Sequence, residues 1–447
     1  MFAAIRSSWP LFLGVALMML GNGLQTSLLG VRAGLEAFAT SATGLIMSMY
    51  FVGFLAGSLL VPRMIGTVGH VRVFAALASI ASTATLVHVI FVEPATWAVM
   101  RMVTGFAFAG LFIVAESWLN DRATNDTRGS LLAVYMVVLM GGTAGGQLLL
   151  NLDDPTRFQL FALVSVLISL SLVPLLLSAT PAPAIRMPEK VGLLQLYRAS
   201  PLGVVGCFGT GVAHGAALGM GAVYAGASGF SVAEISAFMG AVYLGGMLAQ
   251  GPIGILSDRF DRRLVLTVTT LAAAGAAIAA AWGAGVSNAT TIGLVAVFGG
   301  LTLPLYALCI SHTNDYLSPA QMPAASGKLY LVTGVGSTLG PLTVAVLMDL
   351  RGPVAYFGFL AAVHLAIGGF ALWRMTRRAA RPLSEQGHYA TLSATGTQVA
   401  AAMVAEDAVE HQPEPADWLA ADDLVEPQPE TGPPANDDGA APAARQA

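Results

Sequence analysis

The chain has 447 residues, 55% of them hydrophobic and 10% charged, and its mean hydropathy is +0.71. Soluble domains carry about 25% charged residues, so the composition excludes an ordinary soluble enzyme or a nucleic-acid-binding module and implies a membrane protein. The net charge of −4 is unevenly placed: residues 1–384 hold 20 Lys and Arg against 13 Asp and Glu, whereas residues 385–447 hold one Arg against 12 acids.

Apolar runs occur at about residues 10–31, 42–62, 73–92, 97–119, 130–150, 158–178, 202–224, 235–256, 264–284, 291–312, 329–348 and 353–373. Each is near the ~20 residues that cross the hydrocarbon core of a bilayer as a helix. Arg6 precedes the first run without a small-residue cleavage site, so that run reads as an uncleaved helix. The ten-residue alternation of a membrane β-barrel is absent. The expectation is an all-α integral membrane protein with twelve transmembrane helices in two six-helix halves. Residues 1–178 form the first half and 202–380 the second, joined by a proline-containing linker over 179–201. Residues 381–447 are acidic and rich in Ala and Pro, which predicts a disordered tail, with transient helix over Val399–Glu410. A chain ending near Ser384 is expected to keep its fold.

The halves echo each other. Gly105 and Gly299, Ser117 and Ser311, Asn120-Asp121 and Asn314-Asp315, Gly142 and Gly336, and Gly146 and Gly340 are each 194 residues apart. Two similar membrane halves are the signature of many secondary transporters. Among the connecting segments, those sharing a side with the N-terminus hold 16 Lys and Arg and the opposite ones 3, so the positive-inside rule puts both termini in the cytoplasm. Cys207 and Cys309 form no C-x-x-C, and no phosphate loop, nucleophile elbow or H-E-x-x-H motif occurs. No cofactor, metal, ATP-driven pump or enzyme is expected.

The segment Gly254-Ile-Leu-Ser-Asp258-Arg259-Phe-Asp-Arg262-Arg263 resembles the loop signature of the major facilitator superfamily, G-x-L-x-D-R-x-G-R-R, with Asp261 at the usual glycine. The first-half copy, Pro62 to Arg72, keeps glycine and arginine but lacks the aspartate. Arg101-x3-Gly105-x3-Ala109 resembles the family's helix-4 motif, tied to proton coupling in some members, and Gly141–Gly146 is weakly similar to its antiporter helix-5 motif. The resemblance implies twelve helices, alternating access and a central cavity lined by helices 1, 4, 7 and 10.

Ionisable and amide groups inside the runs are the candidate site. An ionisable side chain at mid-membrane costs about 2.5–3.5 kcal/mol on insertion scales, so it needs a partner or a wet cavity. Asn22 and Gln25 share a face of run 1, and His214 is central in run 7. All three read as substrate contacts or as interhelical hydrogen bonds. Arg101 could hold an anion or a coupling partner, or snorkel outward. Tyr306 completes the binding set, with packing as the plainer alternative. His88 and His364 read as satisfied core residues. Glu116, expected to pair with Arg63, Arg122 or Arg128, joins Asp121, Arg128, Asp258, Arg259, Arg262 and Asp315 as gate or structural residues. Asp258 is expected to approach the start of run 5 at Gly129–Ser130, in a contact that exists only when the cytoplasmic side is closed.

These features predict a monomeric secondary transporter of the inner membrane that moves a small solute by alternating access with proton coupling. The alternative is a non-transporting sensor or scaffold acting through the acidic tail.

Overall fold

The computed structural model describes residues 6–124, 127–177, 192–378, 380–389, 397, 399–400 and 403. Twelve spans are helical. In lipid every backbone amide must be satisfied within its own segment, so each apolar run closes into a helix. The first half comprises α1 (Trp9–Leu35), α2 (Thr40–Val68), α3 (His70–Ile90), α4 (Pro94–Arg122), α5 (Arg128–Leu148) and α6 (Gln159–Leu177). A short helix, α7 (Leu193–Ala199), occupies part of the expected linker, whose residues 179–191 lie outside the described residues. The second half comprises α8 (Pro201–Ala227), α9 (Val232–Arg259), α10 (Arg262–Gly283), α11 (Asn288–Thr302) with α12 (Leu305–Asn314), α13 (Met322–Arg351) and α14 (Ala355–Met375). Run 10 is thus two helices. Pro304 has no N–H to continue the ladder, and the break falls at Leu303–Pro304.

Polar residues set the helix starts. Ser231 and Glu234 form a reciprocal capping box on α9, while Ser200, Asp261 and Ser287 each accept a first-turn amide of α8, α10 and α11. Such caps typically contribute about 1 kcal/mol.

The halves pack alike. In the first, α2 crosses α4, α1 lies between α5 and α6, and α3 packs on α4 and α6; in the second, α9 crosses α11, α8 lies between α13 and α14, and α10 packs on α11 and α14. Paired glycines make the matching crossings possible. A Cβ at Gly105 would lie 1.9 Å from the Tyr50 carbonyl oxygen, and one at Gly299 2.2 Å from that of Val242. Overpacking of this kind costs about 1–3 kcal/mol. Gly105→Ala is therefore expected to lower the thermal midpoint of the purified protein. Gly275→Ala, where nothing lies within 4 Å, should leave the midpoint level or raised, and equal midpoints for the two variants would contradict the packing argument.

Across the halves, α2 packs on α13, α5 on α9 and α1 on α8. On the face opposite the arginine-rich one, direct hydrogen bonds tie them. Ser41 N donates to Asp349 Oδ2 at 2.8 Å. Ser236 Oγ donates to the Gln147 carbonyl at 2.7 Å and accepts from Asn151 Nδ2 at 2.9 Å.

The tail departs from its expected disorder. Residues 382–389, with Thr397, Val399, Ala400 and Met403, pack on the arginine-rich ends of the helices; Ala400 and Met403 are fully buried. Whole-tail composition is dominated by later acids and masks this apolar stretch. The remaining tail, including Trp418, lies outside the described residues.

Candidate functional site

Arg101 is the central feature. It sits two turns into α4, is 3% exposed, and lies over the Tyr50 ring at 4.4 Å from the centroid. Its Nε and Nη1 are buried without a hydrogen-bond partner among the described residues. A guanidinium over an aromatic face gains about 0.5–2 kcal/mol, which leaves most of its donor capacity unused. The Tyr50 hydroxyl lies beside Asn22, and Tyr243 of α9 is within electrostatic range of Tyr50. Asn22 Oδ1 is itself buried and unpartnered. Across the interface, Phe54 of α2 meets Tyr330 of α13 with centroids 6.1 Å apart. Unused donors and an unused acceptor therefore both lie next to Tyr50: the guanidinium can take an anion and Asn22 a hydrogen-bond donor.

The other sequence candidates divide. Gln25 does not share Asn22's surroundings: its Nε2 donates to Thr85 Oγ1 of α3 at 3.0 Å. His214 Nε2 is 2.9 Å from the Thr302 carbonyl, which the break before α12 leaves outside the helical ladder. A carbonyl only accepts, so Nε2 carries the proton and Nδ1 is an acceptor, here without a partner. The Thr302 side chain is also used, since its Oγ1 is 2.9 Å from His364 Nε2, while His364 Nδ1 donates to the Leu360 carbonyl at 2.7 Å. His214 and His364 thus both stabilise the break in run 10. His88 likewise bonds the Ala84 carbonyl at 2.7 Å. Tyr306 is fully buried with its hydroxyl unpartnered.

A second cluster occupies the arginine-rich ends. Among the described residues Glu116 forms no ion pair with an arginine, contrary to the sequence expectation. Its fully buried carboxylate accepts from Tyr135 Oη at 2.9 Å, from Thr397 N at 3.1 Å, from Ala400 N at 3.1 Å and from the Thr397 hydroxyl. Neutral donors suffice here because the tail supplies three of them. In the signature loop, Arg262 is 1% exposed. Its Nη1 bonds both oxygens of Asp315 at 2.6 and 2.7 Å and its Nε donates to Ser257 Oγ at 2.9 Å, which fixes the α9–α10 turn to the end of α12. Burial pushes the Asp315 carboxyl up to about 6, with Arg262 beside it pulling down. Asp258 accepts from Tyr389 N at 2.6 Å and lies 3.7 Å from Arg262 Nη2. Gly129 and Ser130 are not among its partners in this arrangement. Asp121 and Arg259 are exposed at their helix ends, and Arg128 opens α5 half-buried.

Sequence reasoning missed Tyr50, Thr302, Asp349 and Tyr135. Pro304 was the available signal for Thr302, since a proline inside a span frees upstream carbonyls. Asp349, the lone acid in the last turn of α13, was the signal for a helix-start contact. For Tyr50 and Tyr135 the sequence offered none.

The Major Facilitator Superfamily family model matches residues 205–404. An uncharacterised MFS-type transporter, YcaD of Escherichia fergusonii, is 27% identical over 373 residues, covering 83% of this chain and 96% of the relative. The solved nucleoside transporter NupG superposes with a TM-score of 0.67 at 14% identity, covering 83% of this chain and 99% of that one. A bacterial homologue of the human lysosomal transporter Spinster, solved inward-facing and unoccupied, superposes with a TM-score of 0.65 at 14% identity, covering 92% and 99%. The relatives align over most of the chain and the signature loop lies within the matched region: in sequence and in fold the chain is similar to members of the major facilitator superfamily of membrane transporters.

Proposed function

We propose that this chain is a secondary transporter of the inner membrane, with both termini cytoplasmic, that carries a small organic anion by alternating access. One observation carries the anion assignment: a buried guanidinium on α4 with two unpartnered nitrogens, set over the Tyr50 ring whose hydroxyl lies beside Asn22. Arg101 takes the anionic group, Asn22 accepts from a donor elsewhere on the solute, and Tyr50 supplies an apolar wall. Closure on the periplasmic side comes from Ser41–Asp349 and Asn151–Ser236, so the present arrangement corresponds to the inward-facing branch of the cycle. Among the described residues, Glu116 is the one fully buried carboxylate inside the spans, and we assign the coupled proton to it. His214, engaged at Thr302, becomes a positioning residue for the break in run 10.

The test is a thermal-stability screen of purified protein against organic mono- and dicarboxylates, phosphomonoesters and matched neutral analogues. A ligand at 100 times its dissociation constant adds about 2.7 kcal/mol of stability. An anion should raise the midpoint where its neutral analogue does not; stabilisation by neutral solutes alone would overturn the assignment.

A further inference from the structure

A cleft opens on the arginine-rich face of the second half, where α8 and α10 begin and α12 and α14 end. Its empty volume is about 270 Å³, and Ser200, Arg263, His312, Tyr316, Arg374 and Arg378 line it. Among the described residues the lining holds three arginines and no acid. Arg263 is buried; its Nη2 donates to Asp261 Oδ2 at 3.0 Å and its Nη1 to the Arg378 carbonyl at 2.8 Å, which ties the start of α10 to the chain after α14. The Arg378 guanidinium stands over the Tyr316 ring at 4.1 Å from the centroid, and its Nη1 donates to the Ala199 carbonyl at 2.8 Å. A guanidinium has five donor hydrogens, so most of those on Arg378 stay unused. Arg374 has the Trp373 ring at 5.7 Å and, among the described residues, neither a carboxylate nor a hydrogen-bond partner. His312 is 4% exposed and meets Tyr316 edge-on at 5.2 Å, and among the described residues its ring nitrogens take no hydrogen bond.

The flanks of the cleft are apolar. The short helix α7 packs on α8 and is joined to the cleft through Ala199 and Ser200. It buries Leu196 and leaves Leu193, Leu194 and Tyr197 exposed; on the other flank Leu372 and Trp373 are exposed at the end of α14. Tyrosine and tryptophan are enriched at the headgroup level of a bilayer, and a helix with one apolar face lies in that plane. The cationic lining and the apolar flanks thus meet at one depth.

We propose that this cleft binds the phosphate of an anionic phospholipid from the leaflet on the arginine-rich side. Arg374 and Arg378 take the phosphate oxygens, which the planar guanidinium fork matches. His312 offers a ring nitrogen to the same headgroup, and the start of α8 adds the positive field of its first-turn amides. Leu193, Leu194, Tyr197 and Trp373 lie along the acyl chains. Basic pockets between membrane helices hold anionic headgroups in this manner. A soluble phosphate ester would satisfy the same arginines, but it would leave the apolar flanks without a partner. The site is separate from Arg101 and stands whether or not that residue binds a solute.

The test titrates the full-length protein, in nonionic detergent, with phosphatidylglycerol and follows bound lipid by native mass spectrometry. The double variant Arg374→Gln, Arg378→Gln removes two headgroup cations, so the affinity of the first lipid is expected to fall about tenfold. The double variant Arg63→Gln, Arg72→Gln removes two arginines from the same face of the first half and should leave that affinity unchanged. Equal losses in the two would reduce the cleft to general surface charge and overturn the proposal. Leu194→Glu alters the apolar flank and no cleft arginine. It too should weaken the lipid, and unchanged binding there would overturn the lipid assignment even if the arginine variant failed to fold. Glycerol phosphate carries the same group without acyl chains and should not displace the lipid. Displacement at equal concentration would give the cleft to a soluble phosphate ester instead.

Discussion

Replacing Arg101 with methionine is expected to abolish anion binding and at the same time raise the stability of the unliganded protein. The two effects share one cause. Arg101 is buried, two of its nitrogens have no partner, and its compensation is the Tyr50 face at 4.4 Å. An ionisable group at membrane depth costs about 2.5–3.5 kcal/mol on insertion scales, against about 0.5–2 kcal/mol returned by a cation–π contact. Methionine keeps the length and removes the charge, so a net gain of about 1 kcal/mol is expected, read as a higher thermal midpoint without ligand. Binding should fall by about 2–5 kcal/mol, the usual loss when one member of a buried charge pair is removed. Arg101→Lys keeps the charge but loses the planar fork, and its affinity should lie between the two. A destabilised Arg101→Met protein that still binds the anion would show that the guanidinium is structural.

Asp349→Asn is expected to open the periplasmic side. The Asp349 carboxylate accepts the Ser41 amide in the first turn of α2, in the other half of the molecule. A helix start carries unpaired N–H groups and about half a positive charge, so a carboxylate there gains about 0.3–1 kcal/mol, and up to about 2 when partly buried. The contact exists only while this side is closed, and such a differential contact biases the equilibrium between states. Asparagine keeps the shape and loses the charge. A shift of about 1 kcal/mol, close to fivefold in population, should appear as faster labelling of interface cysteines from the periplasmic side. Unchanged labelling would reduce the contact to a surface hydrogen bond.

A carboxylate facing a helix start across the halves is expected from Asp258 and α5 when the cytoplasmic side is closed; in the present arrangement Asp349 and α2 make a contact of that kind on the opposite face. Spans and repeats were legible because lipid leaves the backbone one solution: an apolar run of about 20 residues must be a helix, and a glycine recurring after 194 residues in equivalent spans, as Gly105 and Gly299 do, marks equivalent crossings. Side-chain partners were not legible, because they depend on helix rotation within a few tens of degrees. Gln25 and Asn22 share a face by spacing, yet Gln25 turns to Thr85 on α3. Glu116 was assigned to arginine by charge, yet its donors lie 281 and 284 positions away in the sequence. Tail composition, averaged over 12 acids, could not reveal that Thr397, Ala400 and Met403 are core residues.

The account stands on alternation between the two faces, and paired spin labels test that directly. Leu35 and Leu350 are 56% and 75% exposed on the Asp349 face, and Val68 and Phe260 are 47% and 51% exposed on the arginine-rich face. Cysteine pairs at 35 with 350 and at 68 with 260, spin-labelled in lipid, each report one mouth. The account predicts that Asp349→Asn, or a binding anion, lengthens the 35–350 distance while the 68–260 distance holds or shortens. Both distances fixed in every condition, or both lengthening together, would contradict it.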